Sequence, residues 1–410
     1  MNITIIGAGI VGCAIAHALL DDGHRVTIMD ANGPAFGPSQ GNAGWIAHTD
    51  ILPLASPKAL RQLPRYLMDP LGPLAIRPAY LLKIAPWLIR YLLASRPLQV
   101  ERSLLALASL QQQALPAWLK LADKLGIAGM IHRRGGLHVY DNDADFKAAS
   151  QLAKRQAQFG FGVEMIGADE MRQLEPAIND LFVGAAYVSD TAHVSDPRLL
   201  TLALFEAALT RGAHYEKARV TRLEASAKPA LLMQDGTWRE ADVIVLSAGI
   251  WSRPLAASIG DDVPLDTERG YNISFPGITG LISRPVAFEG HGFVASPLET
   301  GLRIGGAVEF GGLDLPPNHA RTRALHAKAA RFLKDVPAYE TGREWMGFRP
   351  SLPDSLPIIG PATRTAHIIH AFGHGHYGMT QSAITARLVA DMVAGRDALT
   401  RVDPFRVSRF

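Results

Sequence analysis

Three glycines near the start of the chain have the spacing that binds a phosphate group. Gly7, Gly9 and Gly12 follow the residues Ile-Thr-Ile-Ile and precede an alanine-rich apolar run that ends at Leu20. This order predicts a buried strand, a tight turn and a helix. Gly7 allows the bend, Gly9 lets the backbone approach a pyrophosphate, and Gly12 lets the helix pack closely on the strand. Because the free N–H groups at the helix start would face the phosphates, the pattern indicates a dinucleotide site.

An aspartate extends this pattern. Asp30 ends a second apolar strand, predicted over residues 25–29, where a carboxylate accepts hydrogen bonds from a ribose hydroxyl. A glycine motif alone would be a weak signal, but here strand, turn, helix, second strand and acid follow in register. Which dinucleotide binds, and for what chemistry, is left open by the motif.

A second glycine turn near the end of the chain favours a flavin. Residues 367–372 predict a buried strand, residues 373–378 a turn with three glycines, and residues 379–394 a helix. A nicotinamide-dependent dehydrogenase has no evident need for this turn. A flavin ring, in contrast, acquires negative charge on reduction, which the N–H groups of residues 377–380 would stabilise. We therefore predict FAD, with a capped helix on a Rossmann-like sheet as the alternative.

The composition indicates a well-packed globular protein of about two domains. The chain has 410 residues, 48% hydrophobic and 19% charged, and a formal net charge of only +3, so we expect no nucleic-acid partner. Its single cysteine, Cys13, cannot form an internal disulfide, and the first strand leaves no room for a signal peptide. We therefore expect a cytoplasmic protein. No metal-ligand spacing, Ser-His-Asp arrangement or Walker loop is present, so we expect no metal and no hydrolase or kinase activity.

One apolar stretch, residues 74–95, raises the question of membrane contact. Three basic side chains interrupt it, and Pro78 and Pro86 would break or kink a spanning helix. Two interpretations stay open. The stretch forms a buried helical pair, which we favour, or it forms an interfacial surface that places the protein on the cytoplasmic face of the inner membrane.

The elements between the two glycine turns predict an α/β fold with two interleaved domains. Residues 57–125 predict helices punctuated by prolines, and residues 243–246 a buried strand parallel to the first strand. Other strands are predicted over residues 137–140, 163–166, 219–223, 230–233 and 237–240, an antiparallel group over residues 271–306, and helices over residues 143–159 (capped by Asp143), 197–210 and 319–333. We predict a Rossmann-like FAD-binding domain of the glutathione-reductase type interleaved with an α+β substrate domain that has an antiparallel sheet. The predicted FAD-binding domain is 1–56, 188–262 and 345–410, and the predicted substrate domain 57–187 and 263–344.

Several further segments match motifs of a known family. They are residues 39–44 (Ser-Gln-Gly-Asn-Ala-Gly), 247–252 (Ser-Ala-Gly-Ile-Trp-Ser), 345–350 (Trp-Met-Gly-Phe-Arg-Pro), 353–354 (Pro-Asp), 357–360 (Pro-Ile-Ile-Gly) and the turn 373–380. With the N-terminal glycines, they make the chain resemble the D-amino-acid oxidase (DAO) superfamily of FAD-dependent oxidoreductases. The resemblance covers essentially the whole chain and is nearest to the bacterial D-amino-acid dehydrogenases. These motifs are typical of the superfamily and do not identify a substrate.

The resemblance, together with the glycine motif, implies a set of residues that contact FAD. They are Gly7, Gly9, Ile10, Val11, Gly12, Asp30, Ala31, Ser39, Gln40, Asn42, Ala43, Gly44, Trp45, Val220, Ala248, Gly249, Trp251, Gly375, His376, Tyr377, Gly378, Met379 and Thr380. Some members of the superfamily hold the flavin through a cysteine. Because the only cysteine lies in the first predicted helix, we expect FAD to be bound non-covalently.

The resemblance also implies the reaction. A hydride passes from the carbon that bears the amine of a D-amino acid to flavin N5, water hydrolyses the imine to a 2-oxo acid and ammonia, and a quinone or oxygen accepts the electrons. Arg349 would hold the substrate carboxylate. Tyr271 would donate its hydroxyl to the same carboxylate, or is a core residue. His376 stands where glycine-oxidase-like relatives carry a second arginine; it would contact substrate or accept the amine proton, or packs over the ring.

Two alternatives to this function stay open. The substrate is a cyclic or N-methyl secondary amine, such as D-hydroxyproline, D-proline, pipecolate or sarcosine. Alternatively, the chain is a flavin-binding subunit of a membrane-associated redox complex, which only the apolar stretch 74–95 supports.

Overall fold

The computed structural model describes residues 1–57, residue 60 and residues 71–410. Its strands are β1 (Asn2–Ile6), β2 (Arg25–Asp30), β3 (Trp45–Ile46), β4 (Leu74–Ile76), β5 (Ile131–His132), β6 (Gly136–Tyr140), β7 (Glu164–Gly167), β8 (Gly184–Val188), β9 (Ala192–Val194), β10 (His214–Lys217), β11 (Val220–Glu224), β12 (Ala230–Met233), β13 (Trp238–Glu240), β14 (Val243–Leu246), β15 (Asp266–Pro276), β16 (Val286–Phe288), β17 (Phe293–Leu298), β18 (Gly301–Phe310), β19 (Arg343–Ser351), β20 (Ile358–Pro361) and β21 (Ile368–Phe372). Its α-helices are α1 (Ile10–Asp21), α2 (Pro38–Gly41), α3 (Leu81–Ala94), α4 (Pro97–Lys124), α5 (Asp143–Ala157), α6 (Ala168–Leu174), α7 (Pro197–Thr210), α8 (Ser252–Ser258), α9 (Ala320–Phe332) and α10 (Gly378–Ala394).

A mostly parallel sheet carries both glycine turns. Its strand order is β10-β2-β1-β14-β21-β20, and only the edge strand β20 runs antiparallel to its neighbour. The predicted parallel pairing of β14 with β1 is confirmed, with Ile5 opposite Val245. Helices α1 and α10 pack against each other beside this sheet, so the two turns that begin them lie at the same edge. This arrangement brings the two ends of the chain to one site.

The first glycine turn is closed by backbone contacts that leave no room for side chains. Gly7 has φ +113°, and a Cβ there would lie 2.5 Å from the carbonyl oxygen of Ser247. A Cβ on Gly12 would lie 2.0 Å from the carbonyl oxygen of Gly7. Glycine is therefore required at Gly7 by conformation and space, and at Gly12 by space, as the sequence pattern predicts.

A larger, mostly antiparallel sheet forms the second layer. Its order is β19-β15-β18-β17-β16-β6-β8-β7, and β4 pairs with β18. Two pairings, β16 with β6 and β18 with β4, are parallel. Helix α9 covers one face, where the rings of Phe288, Phe293 and Phe332 stack in a core separate from that of the first sheet. The two cores give the predicted α/β architecture of a Rossmann-like layer and an antiparallel layer.

Two segments lie across the predicted domain boundary. Strand β19, predicted within the FAD-binding domain, pairs along its whole length with β15 of the large sheet. Helix α4, predicted within the substrate domain, packs on α10, and the indole N–H of Trp118 donates to the carbonyl of Met379 over 2.7 Å. Periodicity predicts a strand or a helix but does not tell which of two apolar cores an element joins.

The apolar stretch 74–95 differs from the favoured prediction of a buried helical pair. It forms β4, a short 3₁₀ turn and α3, which continues through Pro86. Only Ile84 and Trp87 of α3 are buried, whereas Leu82 is 89% exposed and Ile89 is 59% exposed. The helix therefore presents an apolar outer face. In the described ranges, no helix is both long and apolar enough to cross a membrane.

Smaller differences also have local causes. The side chain that caps α5 is Asn142, which accepts the N–H of Asp145 over 2.9 Å, so the predicted cap by Asp143 is wrong by one residue. The proline-rich segment predicted as helical contains the strand β4, because residues 74–76 pair with the edge of β18. The part of that prediction at residues 58–59 and 61–70 lies outside the described residues.

The glycine contacts predict a large loss of stability on substitution of Gly12. We expect Gly12→Ala to lower the free energy of unfolding by about 3 kcal/mol or more, because the added methyl group meets a backbone oxygen that cannot turn aside. Gly167→Ala is the matched control, since its added Cβ meets nothing within 4 Å, and should change stability by less than about 1 kcal/mol. Urea unfolding curves of the two variants measure the difference; equal stabilities would contradict this account of the turn.

Candidate cofactor and substrate site

One cavity of 420 Å³ lies at the carboxyl ends of β1, β2, β14 and β21. The structure brings many of the predicted site residues to its wall, namely Gly7, Gly9, Ile10, Val11, Asp30, Ala31, Ser39, Asn42, Val220, Ala248, Gly249, Trp251, Arg349, Gly375, His376, Gly378 and Met379. Other predicted residues do not border it, namely Gly12, Gln40, Ala43, Gly44, Trp45, Tyr271, Tyr377 and Thr380. Residues that the sequence did not single out include Phe36, Arg219, Pro254, Leu255, Phe372 and His374.

The carboxylate of Asp30 is held by the backbone of the first turn. Its Oδ2 accepts the N–H of Ala8 over 2.9 Å, and its Oδ1 accepts the N–H groups of Asn32 at 2.8 Å and Gly33 at 3.0 Å. An ionised carboxylate has about four acceptor sites, so it can still accept a hydroxyl from a ribose. The geometry therefore fits the role predicted for Asp30.

The start of α1 is capped from another part of the chain. Gly9 has no side chain to cap the helix, and the hydroxyl oxygen of Ser39 accepts the N–H of Ile10 over 2.9 Å instead. The hydroxyl hydrogen of Ser39 stays available to donate. A phosphate at this helix terminus would thus meet both the remaining free backbone N–H groups and a hydroxyl donor.

The glycines of the other turns leave open space in the cavity wall. A Cβ on Gly249 or Gly375, which both have positive φ, would meet nothing within 4 Å. Both residues border the cavity, so this space is available to a bound molecule. With the aspartate and the helix start, these open backbone surfaces fit an FAD molecule that runs between the two glycine turns.

The only cysteine is unsuited to hold a flavin covalently. Cys13 is fully buried in α1, and its thiol donates to the carbonyl of Ala8 at 3.5 Å. Burial, with a smaller effect of the Asp30 carboxylate, raises the pKa of the Cys13 thiol. The thiol is therefore protonated and inaccessible.

The segment 37–44 is fastened to the large sheet. Arg303 on β18 donates to the carbonyl of Asn42 over 2.8 Å, and Asn272 on β15 donates to the carbonyl of Gly41 over 2.7 Å. The side chain of Asn42 accepts the N–H of Gly44. Burial lowers the pKa of the Arg303 guanidinium, which still remains charged at neutral pH. These bonds fix a segment of the cavity wall to the large sheet, while Gly44 itself does not border the cavity.

The C-terminal turn presents the start of α10. Gly373 has φ +80° and Gly375 has φ +53°, and no side chain caps the helix, whose N-cap residue is Tyr377. The Thr380 hydroxyl oxygen accepts the N–H of Ala47 over 3.1 Å, so this side chain connects the turn to the segment after β3. Tyr377 and Thr380 therefore shape the turn from behind, and the uncapped N–H groups are left for a ligand.

Arg349 projects from β19 to the cavity. Its guanidinium packs on Gly270 of β15, where a Cβ would lie 2.4 Å from the guanidinium carbon, and one N–H donates to the carbonyl of Ala307 over 3.1 Å. Burial lowers the pKa of the Arg349 guanidinium, and the nearby Glu268 carboxylate raises it again in part. The guanidinium nevertheless remains a cation at neutral pH. Because, among the residues that the structure describes, Arg349 donates only to Ala307, it can offer a pair of N–H groups to a carboxylate.

Glu268 is a charged residue beside the site that the sequence did not reveal. It lies on β15 directly opposite Arg349 and is 4% exposed. One carboxylate oxygen accepts the hydroxyl of Ser351 over 2.6 Å, and the other lies 3.1 Å from Nε2 of His376. Burial alone would raise the pKa of Glu268, but His376, Ser351 and Arg349 together lower it. The feature that could have identified Glu268 is a carboxylate within a strand that is otherwise buried on both faces, because a buried charge needs a partner.

Tyr271 does not border the cavity and lies in the core, the second of the two positions predicted for it. It is 1% exposed, its hydroxyl donates to Glu309 over 2.8 Å, and the same oxygen accepts the N–H of Asn318 over 3.1 Å. Arg269 also contacts Glu309, so Arg269 and Tyr271 point to the face of β15 opposite that of Glu268 and Arg349. Side chains alternate along a strand, and this register puts Tyr271 in the core.

Comparisons with known proteins find relatives and similar structures over the whole chain. Residues 2–392 match the model of the family DAO, FAD dependent oxidoreductase. The chain is 38% identical to a D-amino-acid oxidase of Bradyrhizobium diazoefficiens, covering 100% of this chain and 99% of the relative, and 30% identical to D-amino acid dehydrogenase 2 of Ralstonia nicotianae, covering 100% of each. Among solved structures, glycine oxidase from Geobacillus kaustophilus superposes with TM-score 0.76 at 21% identity, covering 100% of this chain and 98% of that one. L-proline dehydrogenase from P. horikoshii also has TM-score 0.76, at 20% identity, covering 100% and 97%.

The contacts of Glu268 predict a pH-dependent contribution to stability. Because the pKa of Glu268 is lowered by folding, its ionised form stabilises the fold above the unfolded pKa, and this stabilisation is lost as the pH falls. We expect Glu268→Gln to lower the free energy of unfolding by about 2 kcal/mol near neutral pH. The difference from the unsubstituted chain should shrink as the pH falls below the ordinary glutamate pKa of 4.5.

Denaturant titrations at several pH values measure this difference. Glu164→Gln, which changes an exposed glutamate on β7, is the control and should have little effect at any pH. A loss for Glu268→Gln that stays constant with pH would contradict the charged contact with His376.

Proposed function

Since the chain belongs to the DAO family of FAD-dependent oxidoreductases, we propose that it oxidises a D-amino acid. The amino-acid carbon loses a hydride and the amine a proton, and water hydrolyses the resulting imine to a 2-oxo acid and ammonia. Bound FAD supplies the acceptor for the hydride. Its adenosine end would lie at Asp30 and the start of α1, and its ring near the C-terminal turn, where the N–H groups at the start of α10 would stabilise negative charge.

The observation that carries this proposal is the position of Arg349. Its guanidinium borders the same cavity as the two glycine turns and, within the described part of the chain, uses one donor, for the carbonyl of Ala307. A carboxylate held by two parallel N–H groups has a fixed orientation, so the hydrogen on the neighbouring carbon is fixed as well. Glu268 would act through His376 by holding the imidazole Nε2, which leaves the other side of the ring toward the cavity. We therefore propose that Arg349 binds the substrate and that Glu268 positions His376.

The relatives favour a D-amino acid over the two alternatives. The relatives at 38% and 30% identity are named for D-amino acids, whereas the glycine and L-proline enzymes, at 21% and 20% identity, support the fold alone. The match to the Bradyrhizobium oxidase extends over nearly the full length of both chains, which favours an enzyme that turns over by itself rather than a subunit.

The exposed outer face of α3 is the basis for a proposal about the electron acceptor. The outer face of α3 exposes Leu82, Ile89 and Leu92 by 89%, 59% and 49%. Exposed apolar side chains on one helix face are typical of peripheral membrane contact. We propose that this face rests on the cytoplasmic side of the inner membrane and that a quinone there, rather than oxygen, accepts the electrons. The buried thiol of the single cysteine is compatible with that compartment.

A panel of substrates tests the function. The purified chain should be yellow and should reduce an artificial dye with primary D-amino acids at least about tenfold faster than with their L-enantiomers, with D-proline or with sarcosine. Dye reduction and oxygen consumption are recorded in parallel, and a quinone acceptor predicts slow oxygen uptake. A colourless protein that binds no added FAD would refute the proposal. Turnover of secondary amines alone would show that the substrate is a secondary amine instead of a primary D-amino acid.

Substitution of Arg349 tests the carboxylate site. We expect Arg349→Ala to keep its flavin absorbance and to lose about a thousandfold or more in kcat/KM, because a bidentate ionic contact to substrate is worth several kcal/mol. Arg343→Ala removes an exposed arginine from the same strand and serves as the control, with kinetics close to those of the unsubstituted chain. Unchanged kinetics for Arg349→Ala would remove this residue from the site.

A further inference from the structure

A second cavity, of 940 Å³, lies at the surface beside α3, apart from the cofactor cavity. Its wall is formed by the end of α3, the first half of α4, residues 353–356 and the C-terminal residues 400–410. It contains five arginines and two aspartates, namely Arg90, Arg96, Arg102, Arg401, Arg409, Asp354 and Asp403. We call this cavity the arginine groove. The formal charge of these seven side chains is +3, as large as that of the whole chain.

The two aspartates already have partners inside the protein. Asp354 accepts from Arg409 over 2.7 Å, and Arg409, which is 14% exposed, also donates to the carbonyl of Leu356. Asp403 lies 3.4 Å from Arg406 and 3.8 Å from Arg401. Arg409 is therefore part of the wall of the groove, and its charge is balanced.

Three other arginines of the groove keep their charge available. Arg90, Arg96 and Arg102 are exposed, and within the described ranges no carboxylate lies within 4.0 Å of their guanidinium nitrogens. They come from the end of α3, the connection to α4 and the first turns of α4. Guanidinium groups bind phosphate through paired N–H donors, so this cluster has the chemistry of a phosphate site.

Exposed leucines surround the same arginines. Leu93 and Leu105 line the groove and are 45% and 49% exposed, and Leu98 between them in sequence is 75% exposed. These side chains continue the apolar outer face of α3. Interleaved leucines and arginines are typical of a surface that lies at the boundary between acyl chains and headgroups, where arginine stems pack on apolar groups and the charged ends reach the phosphates.

We propose that the arginine groove binds the headgroup of an anionic phospholipid and thereby orients the chain on the membrane. The proposal rests on the membrane contact proposed above and adds to it a lipid selectivity. In this orientation the leucines of α3 and α4 enter the acyl region, and Arg90, Arg96 and Arg102 hold the phosphate. A nucleic acid is disfavoured because its phosphates would have to cross an apolar rim.

Vesicle sedimentation with the full-length, FAD-loaded chain tests the proposal. The probes are vesicles of phosphatidylcholine and vesicles of phosphatidylcholine with phosphatidylglycerol. We expect the chain to prefer the phosphatidylglycerol vesicles and the triple variant Arg90→Gln, Arg96→Gln, Arg102→Gln to lose this preference by roughly a hundredfold, since each basic residue near an anionic surface contributes about fivefold. The control variant Arg25→Gln, Arg133→Gln, Arg222→Gln changes three exposed arginines that do not line the groove and should keep the preference.

Further measurements distinguish binding of a lipid headgroup in the arginine groove from the membrane contact itself. Leu82→Ser with Ile89→Ser should weaken binding to both kinds of vesicle, whereas the arginine variant should weaken only the binding to phosphatidylglycerol. Added salt should abolish the lipid preference, and inorganic phosphate at the same ionic strength should compete no better than chloride. Dye reduction by each variant, unchanged from the parent, confirms its fold.

Each outcome has a distinct meaning. Equal binding of the unsubstituted chain to both kinds of vesicle would overturn the arginine groove and keep the membrane contact. Binding to neither would overturn both proposals. Strong competition by inorganic phosphate would overturn the lipid headgroup as occupant in favour of a free phosphate. A preference that survives in the groove variant and disappears in the control variant would place the lipid site elsewhere.

Discussion

The close approach of three backbone segments at Gly7, Gly12 and Ser247 is the constraint on which the rest of the structure depends. It brings β1, the start of α1 and the end of β14 to distances that no side chain would permit. Because the third segment in this contact, at Ser247, comes from the middle of the chain, the closed turn depends on packing between segments that are distant in sequence. The same contact fixes the first turn of α1, which packs on α10, and so it also sets the position of the second glycine turn.

Polar contacts around the cofactor site connect the two layers. The backbone of the segment 37–44, which caps α1 through Ser39, is itself held by Arg303 and Asn272 of the large sheet. From the same sheet, Arg349 reaches the cavity, and Glu268 contacts His376 of the C-terminal turn. Each polar contact therefore connects an element of one layer with an element of the other. The geometry that presents a substrate to the cofactor is thus determined by the packing between the layers.

Local patterns in the sequence predicted those parts of the fold that depend on local chemistry. Spacing and hydrophobicity predict the glycine turns, the parallel partner of β1 and helix α7. The observed bounds of α7, Pro197–Thr210, are those predicted from the sequence. The register of a strand and the choice of its pairing partner do not follow from local spacing and hydrophobicity. Tyr271 and Glu268 differ in the face of β15 to which they point, which depends on pairing with β18 and β19. For the apolar stretch 74–95 the sequence left a buried and an interfacial position open, because an apolar helix has the same sequence pattern in a core and at a surface.

The repeated passage of the chain between the two sheets limits how such a protein can change during evolution. Strands β1, β2, β10, β14, β20 and β21 build one layer, and the connections between them supply the other. Neither layer is a continuous module that could be exchanged between genes or inherited alone. A new substrate preference is therefore more readily reached by changes at individual positions around the site, such as those on β19, than by exchange of a whole layer.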